Sequence, residues 1–215
     1  GDSAFQSAYA DTDKSNMGML SFENGSKLTS IPAYAFDKCL AFKGSIVIPE
    51  GVTSIGQYAF EKCSGMDGTL SLPSGLETIG NYAFSECSKL TGGITLPDTL
   101  TQLGTYTFNK CSNINGELVL SKNLKNIPQA AFSNCSSMIG SVDLPEGVQK
   151  INANAFQGCS SLNGTLTIPE TVDTIGAYAF DQCSLLTGTL TIPGKVTNVS
   201  NYAFDACSGF DALKL

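Results

Sequence analysis

The chain has no histidine and no arginine. Without histidine the usual neutral-pH general base is missing, and so is any Ser-His-Asp arrangement. Without arginine all 12 basic residues are lysines, set against 19 acidic ones for a net charge of −7. That balance argues against nucleic acid as a partner, because phosphate and base contacts lean on clustered Lys and Arg. No apolar run approaches the roughly 20 residues a helix needs to cross a bilayer, so no membrane insertion by this segment is expected. No CxxC pair, EF-hand loop or calcium-binding nonapeptide is present. Charged residues make up only 14% of the chain, which leaves solubility to Ser, Thr and Asn. No export signal stands at the N-terminus. Gly1-Asp2-Ser3 reads as a trimmed start, so a removed signal and an extracellular or cell-surface location are expected.

What the chain does have is a repeat. Phenylalanine recurs at Phe36, Phe60, Phe84, Phe108, Phe132, Phe156, Phe180 and Phe204, at a constant interval of 24 residues. A period between about 20 and 29 residues marks a leucine-rich-repeat solenoid. One turn runs from Phe60 through Cys63, Met66 and Gly68 to the alternating Leu70-Ser71-Leu72, then Pro73, Leu76 and Ile79. Alternation with period two predicts a short strand with one buried face. Proline closes it, having no N–H for a ladder. Strand cores are predicted at 46–48, 70–72, 94–96, 118–120, 142–144, 166–168 and 190–192, with terminal strands at 20–22 and 213–215. A second short strand is predicted around each Val/Leu-x-x-Ile segment. The Tyr-Ala-Phe segment and the Cys after it are expected to form a tight helical or 3₁₀ turn. Parallel strands stack about 4.8 Å apart, so apolar residues fall into columns buried between neighbouring turns. Residues 1–17 lie out of phase and read as an N-terminal cap; residues 18–215 form one solenoid domain.

These residues resemble the BspA-type (Treponema pallidum-type) leucine-rich repeat. The stretch Val172-Asp-Thr-Ile175-Gly-Ala-Tyr-Ala-Phe180-Asp-Gln-Cys183-Ser-Leu-Leu186, completed by Leu190-Thr-Ile192-Pro193, follows its pattern. An extra residue around Gly188 and its equivalents departs from it, as does Ser121 where proline belongs. The resemblance implies an α/β repeat: a right-handed leucine-rich-repeat solenoid with one parallel β-sheet on the concave face and short turns or 3₁₀ segments opposite. It also implies a bacterial surface or secreted protein, in some cases an adhesin. It carries over no ligand, because the motif residues are buried scaffold.

The eight cysteines, Cys39 to Cys207, share one repeat position. In-register neighbours about 4.8 Å apart are too far and wrongly aimed for a disulfide, which wants Cβ atoms near 3.8 Å. They are expected to be reduced core residues. Glu117 and Asp143, near the strand face on neighbouring turns, are the candidates for a carboxylate pair in acid–base work, and an open sheet gives them no pocket that would tune them. No catalytic, cofactor-binding or metal site is expected.

The outward strand positions are Val47, Ser71, Thr95, Val119, Asp143, Thr167 and Thr191, with Glu117 two residues before Val119. Plain β-propensity explains most of these residues. They also form the candidate contact surface for a host or bacterial surface protein or glycan, with Glu117, Val119 and Asp143 as its centre. A tyrosine column, Tyr34, Tyr58, Tyr82, Tyr106, Tyr178 and Tyr202, is interrupted by Ala130 and Asn154. It reads as a ladder over the phenylalanines, the interruption as a groove or as drift. The functional expectation is a non-enzymatic, adhesin-like binding module, the alternative a structural spacer with no ligand of its own.

Overall fold

The structure, a computed structural model, describes Gly18, residues 20–23 and residues 26–215. The expected cap at 1–17 lies outside the described residues. The chain winds as a parallel β-solenoid of about eight turns, and each turn gives two short strands in two separate rows. The first row holds β2 (Ile46–Val47), β4 (Leu70–Ser71), β6 (Ile94–Thr95), β8 (Leu118–Val119), β10 (Val142–Asp143), β12 (Leu166–Thr167), β14 (Thr189–Thr191) and β16 (Ala212–Lys214). The second row holds β1 (Ser30–Ile31), β3 (Ser54–Ile55), β5 (Thr78–Ile79), β7 (Gln102–Leu103), β9 (Asn126–Ile127), β11 (Lys150–Ile151), β13 (Thr174–Ile175) and β15 (Asn198–Val199). The predicted internal strands and the second strand of each turn are in place. The predicted strand at 20–22 does not form.

Between the rows lies the core. Phe60, Phe84, Phe108, Phe132, Phe156 and Phe180 are fully buried. Their rings stack on one another at centroid spacings of 5.2 to 5.7 Å. The cysteine column lies beside them as eight free thiols, of which only Cys207 is partly exposed. Each thiol from Cys63 onward donates to the carbonyl of the phenylalanine 27 residues back, as Cys87 does to Phe60 at 3.0 Å. The thiol thus ties one turn to the previous one as well as filling space.

The α/β description needs correction. The described residues contain neither α-helix nor 3₁₀-helix; the Tyr-Ala-Phe segments are hydrogen-bonded turns. The backbone says why. Tyr34 and Lys38 sit at φ 58, Tyr58 and Lys62 at φ 56 and 58, and the pattern recurs turn after turn. Two left-handed residues four apart break any helical run. They also turn alternate N–H groups outward: Tyr34, Phe36 and Lys38 donate to Gln57, Ala59 and Glu61 of the next turn, while Ala35, Asp37 and Cys39 bond locally. A 3₁₀ turn would spend all of these donors on itself.

Nor is there one sheet. The first row pairs in twos: β2 with β4, β6 with β8, β10 with β12, β14 with β16. The glycine before each strand alternates in step. Gly44, Gly92, Gly140 and Gly188 have positive φ; Gly68, Gly116 and Gly164 do not. Each of these four positive-φ glycines donates its N–H to the side chain of an Asp or Asn of the following turn: Asp67, Asn115, Asn163 and Asp211, at 2.8 to 3.2 Å. Where the ladder fails, Thr69 bridges to Thr91 and Thr165 to Thr187, so the register slips from 24 residues to 22. Gly92 in the left-handed region absorbs the two surplus residues as a bulge. The structural period is therefore two turns.

The second row splits once, into β1-β3-β5-β7 and β9-β11-β13-β15. At five turns the residue after the strand ties its turn to the one before: Gly56, Gly80, Asn152, Gly176 and Ser200 donate to the carbonyls of Ile31, Ile55, Ile127, Ile151 and Ile175, while β5 and β7 stay paired without such a bond from Gly104. At the split that position is Pro128, which has no N–H to give to Leu103.

Candidate functional site

The first row presents the predicted contact residues together. Val47, Ser71, Thr95, Glu117, Val119, Asp143, Thr167 and Thr191 are all exposed. Strand alternation requires it, since their neighbours Ile46, Ile94, Val142 and Leu190 are buried. The ladder places Val47 beside Ser71, Thr95 beside Val119 and Asp143 beside Thr167. It does not join Val119 to Asp143, because β8 and β10 belong to different two-stranded sheets. The proposed centre thus straddles a break in the row. The Glu117 side chain bends over that break, where a Cβ at Gly140 would lie 3.0 Å from its Cγ. Val47 and Val119 are 59% and 50% exposed, the two apolar side chains among these eight.

Hydroxyls cross-link the surface. Ser45 and Ser141 accept the N–H of Thr69 and Thr165, at 3.0 and 3.1 Å. Below the strands, carboxylates hold the next turn. Glu50 accepts from the N–H and hydroxyl of Ser74, and Asp98 accepts the Lys122 N–H while pairing with its ammonium at 3.1 Å. The Lys122 N–H bond, with the ammonium behind it, holds the Asp98 carboxyl below its ordinary range. The buried Ser121, which replaces proline, donates to the Leu100 carbonyl at 2.7 Å and accepts the Asn123 N–H. The departure from the repeat there is a structural substitute.

The tyrosine column is a ladder in fact. Tyr34, Tyr58, Tyr82 and Tyr106 stack at 4.7 to 4.9 Å, and Tyr178 stacks on Tyr202 at 5.0 Å. Within each stack the faces cover one another, while Tyr178 and Tyr202 remain exposed. At the interruption Ala130 is buried, and Asn154 donates to the Gln157 Oε1 at 2.7 Å. A shallow trough runs along the turns past Ser64, Ser88, Ser112 and Ser136. Its lysines are already committed, Lys62 to Glu61 and Lys110 to Glu86. Among the described residues no group of three or more Cys, Asp or Glu could hold a metal ion, and no helix is long and apolar enough to cross a membrane.

Sequence reasoning missed the two-turn period, the thiol hydrogen bonds and the split at Pro128. The first had a signal in plain sight: the residue before the repeat glycine alternates Lys43, Asp67, Thr91, Asn115, Ile139, Asn163, Thr187, with Asp211 next in the series before Ala212.

Comparison with known proteins agrees with this geometry. The model of the BspA type leucine rich repeat region matches in six copies over residues 29–163 and 137–215. A leucine-rich repeat protein from Treponema pallidum is 31% identical over 79% of this chain and 76% of its own, with a TM-score of 0.64. One from Bacteroides ovatus superposes with a TM-score of 0.60 at 22% identity over 84% of this chain. The chain spans about half of that protein, 52% of its length. A leucine-rich cell surface protein from Faecalibacterium prausnitzii has a TM-score of 0.50 at 20% identity, covering 99% of this chain and 62% of its own. The latter two share the fold. No match was found among curated proteins.

Proposed function

The chain belongs to the BspA-type leucine-rich-repeat family, and on that premise we propose that it is a non-enzymatic, adhesin-like binding module. It acts at the cell surface or outside the cell and engages a host or bacterial surface protein or glycan. The observation that carries this reading is the first strand row: eight exposed side chains presented along one row of strands paired in twos, with Val47 and Val119 uncovered among hydroxyls. The similarity to a cell surface protein of Faecalibacterium prausnitzii supports the location. The absence of histidine supports the lack of catalysis.

The test is binding of the purified chain to immobilised extracellular proteins and glycans, beside a variant with Glu117, Val119 and Asp143 all changed to Lys. Binding lost in the variant supports recognition through the first row. Binding kept moves recognition to another flank. No binding by either, with circular dichroism unchanged, favours the second reading, a structural spacer. That reading has its own support in the uniformity of Ser71, Thr95, Thr167 and Thr191, which offer a partner little to distinguish.

A further inference from the structure

The split in the second row opens a cleft of about 530 Å³ between the turns of β7 and β9. Two backbone donors fail there: Pro128 has no N–H to give, and the Lys125 N–H does not reach the Thr101 carbonyl, although the equivalent N–H of Thr101, Gln149 and Asp173 reaches Glu77, Lys125 and Gln149. The carbonyls of Ile31, Ile55, Ile127, Ile151 and Ile175 each receive a backbone donor from the following turn, whereas that of Leu103, like that of Ile79, receives none among the described residues. Leu103 itself is only half-buried, whereas Ile55, Ile79, Ile127 and Ile151 are buried in the equivalent place.

The lining is mostly polar. Four carboxamides converge on it: Gln102, Asn126, Gln129 and Asn152. Gln129 spends one N–H on the Tyr106 hydroxyl at 3.1 Å, and Asn152 spends one on the Ile127 carbonyl at 2.9 Å. Both keep their amide oxygens. The side chains of Gln102 and Asn126 are exposed and make no hydrogen bond among the described residues. Lys125 stands at the same cleft and forms no ion pair among the described residues, unlike Lys38, Lys62, Lys110 and Lys122.

Resting on the reading of the chain as a recognition module, we propose that this cleft is its binding site for an acidic sugar unit of a glycan. Carboxamides both donate and accept, which suits adjacent hydroxyl groups. The open Leu103 carbonyl accepts one more hydroxyl or amide proton. A single unpaired ammonium matches one carboxylate. A phosphate-rich partner would demand more cations than one lysine in a chain of net charge −7. An apolar peptide would demand anchor pockets, and the cleft is lined mainly by polar side chains.

The experiment is titration of the purified chain with sialyllactose and with a disaccharide ending in glucuronic acid, with lactose as the neutral control. Saturation-transfer NMR and calorimetry give the readout. The acidic sugars are expected to bind at least about tenfold more tightly than lactose, as a charge-assisted hydrogen bond implies. Lys125→Ala should remove that margin and leave lactose unchanged. Pro128→Gly supplies the donor that Gly56, Gly80 and Gly176 give to Ile31, Ile55 and Ile151, so it should narrow the cleft and weaken binding without lowering the melting temperature. If that variant does not fold, Gln102→Ala, on an exposed side chain, serves in its place and should also weaken binding. Acidic sugars bound equally well by all these variants, or not bound at all, overturn the site. In that event the triple lysine variant separates the two claims. A partner lost on changing Glu117, Val119 and Asp143 leaves recognition standing, and a chain that binds neither sugar nor protein ends both.

Discussion

At the scale of single residues, two columns hold the solenoid. Phe108 is fully buried and lies between two other rings, at 5.4 Å from Phe84 and 5.7 Å from Phe132. Changing Phe108 to Ala should cost about 3–5 kcal/mol in chemical denaturation, as truncation of a core aromatic does. An unchanged midpoint would contradict the inward stack. The cysteines make a second prediction. Burial pushes the Cys135 thiol up to about 12 and the less buried Cys207 thiol to about 11, from an ordinary 9.0. A folded-state value above the unfolded one favours the protonated thiol. The stability it brings is complete below pH 9 and is lost as pH rises from there through about 12. Native protein at pH 8 should therefore react with a thiol reagent at Cys207 first and with the other seven only on unfolding. Uniform, rapid labelling of all eight would show that the column is not sealed.

At the scale of elements, the deciding contacts are those between successive turns. The N–H of Gly44 is held by a carboxylate, Asp67, while those of Gly92 and Gly140 are held by Asn115 and Asn163. The Gly44 bond, first among its causes, keeps the Asp67 carboxyl below its ordinary 3.8. A depressed carboxyl contributes stability that is present above the unfolded value and lost as pH falls through the folded one. Hydrogen exchange should thus show protection of the Gly44 amide falling below about pH 4, while the Gly92 and Gly140 amides keep theirs. Parallel loss at all three would mean that the side-chain acceptors do not matter. The same scale accounts for Pro128. In the sequence it is one more residue in a loosely kept position, since Gly80, Gly104 and Gly176 occupy it elsewhere. Its effect exists only relative to Leu103, a full turn away, whose carbonyl it cannot serve.

At the scale of the whole molecule, stability in a solenoid sums over turns and the interfaces between neighbours. Here the interfaces are of two kinds, paired and bulged, in alternation. Deleting residues 67–114 removes two turns and brings Asn115 opposite Gly44, so the alternation survives. Deleting residues 67–90 removes one turn and brings Thr91 there, so Gly44 loses its acceptor and two like turns meet. The longer deletion should leave the more stable protein per remaining interface, read from urea midpoints and slopes. Stability that follows the number of turns alone would contradict a two-turn unit.

The periodic pattern of apolar residues was enough to determine the number of turns, the columns of Phe and Cys, the outward set from Val47 to Thr191, and the short second strand at segments such as Val52 to Ile55. Burial is a property that each residue largely carries with it, and its repetition at 24 residues is visible in one dimension. Tertiary structure alone decided how the backbone polar groups were shared. Whether Phe36 donates within its own turn or to Ala59 depends on a neighbour brought close only by winding, and so does the pairing of strands in twos. The left-handed Tyr34 and Lys38, where a 3₁₀ turn was expected, follow from the same cause. Backbone donors and acceptors are alike in every residue except proline, so their partners leave no mark in the sequence until the turns are stacked.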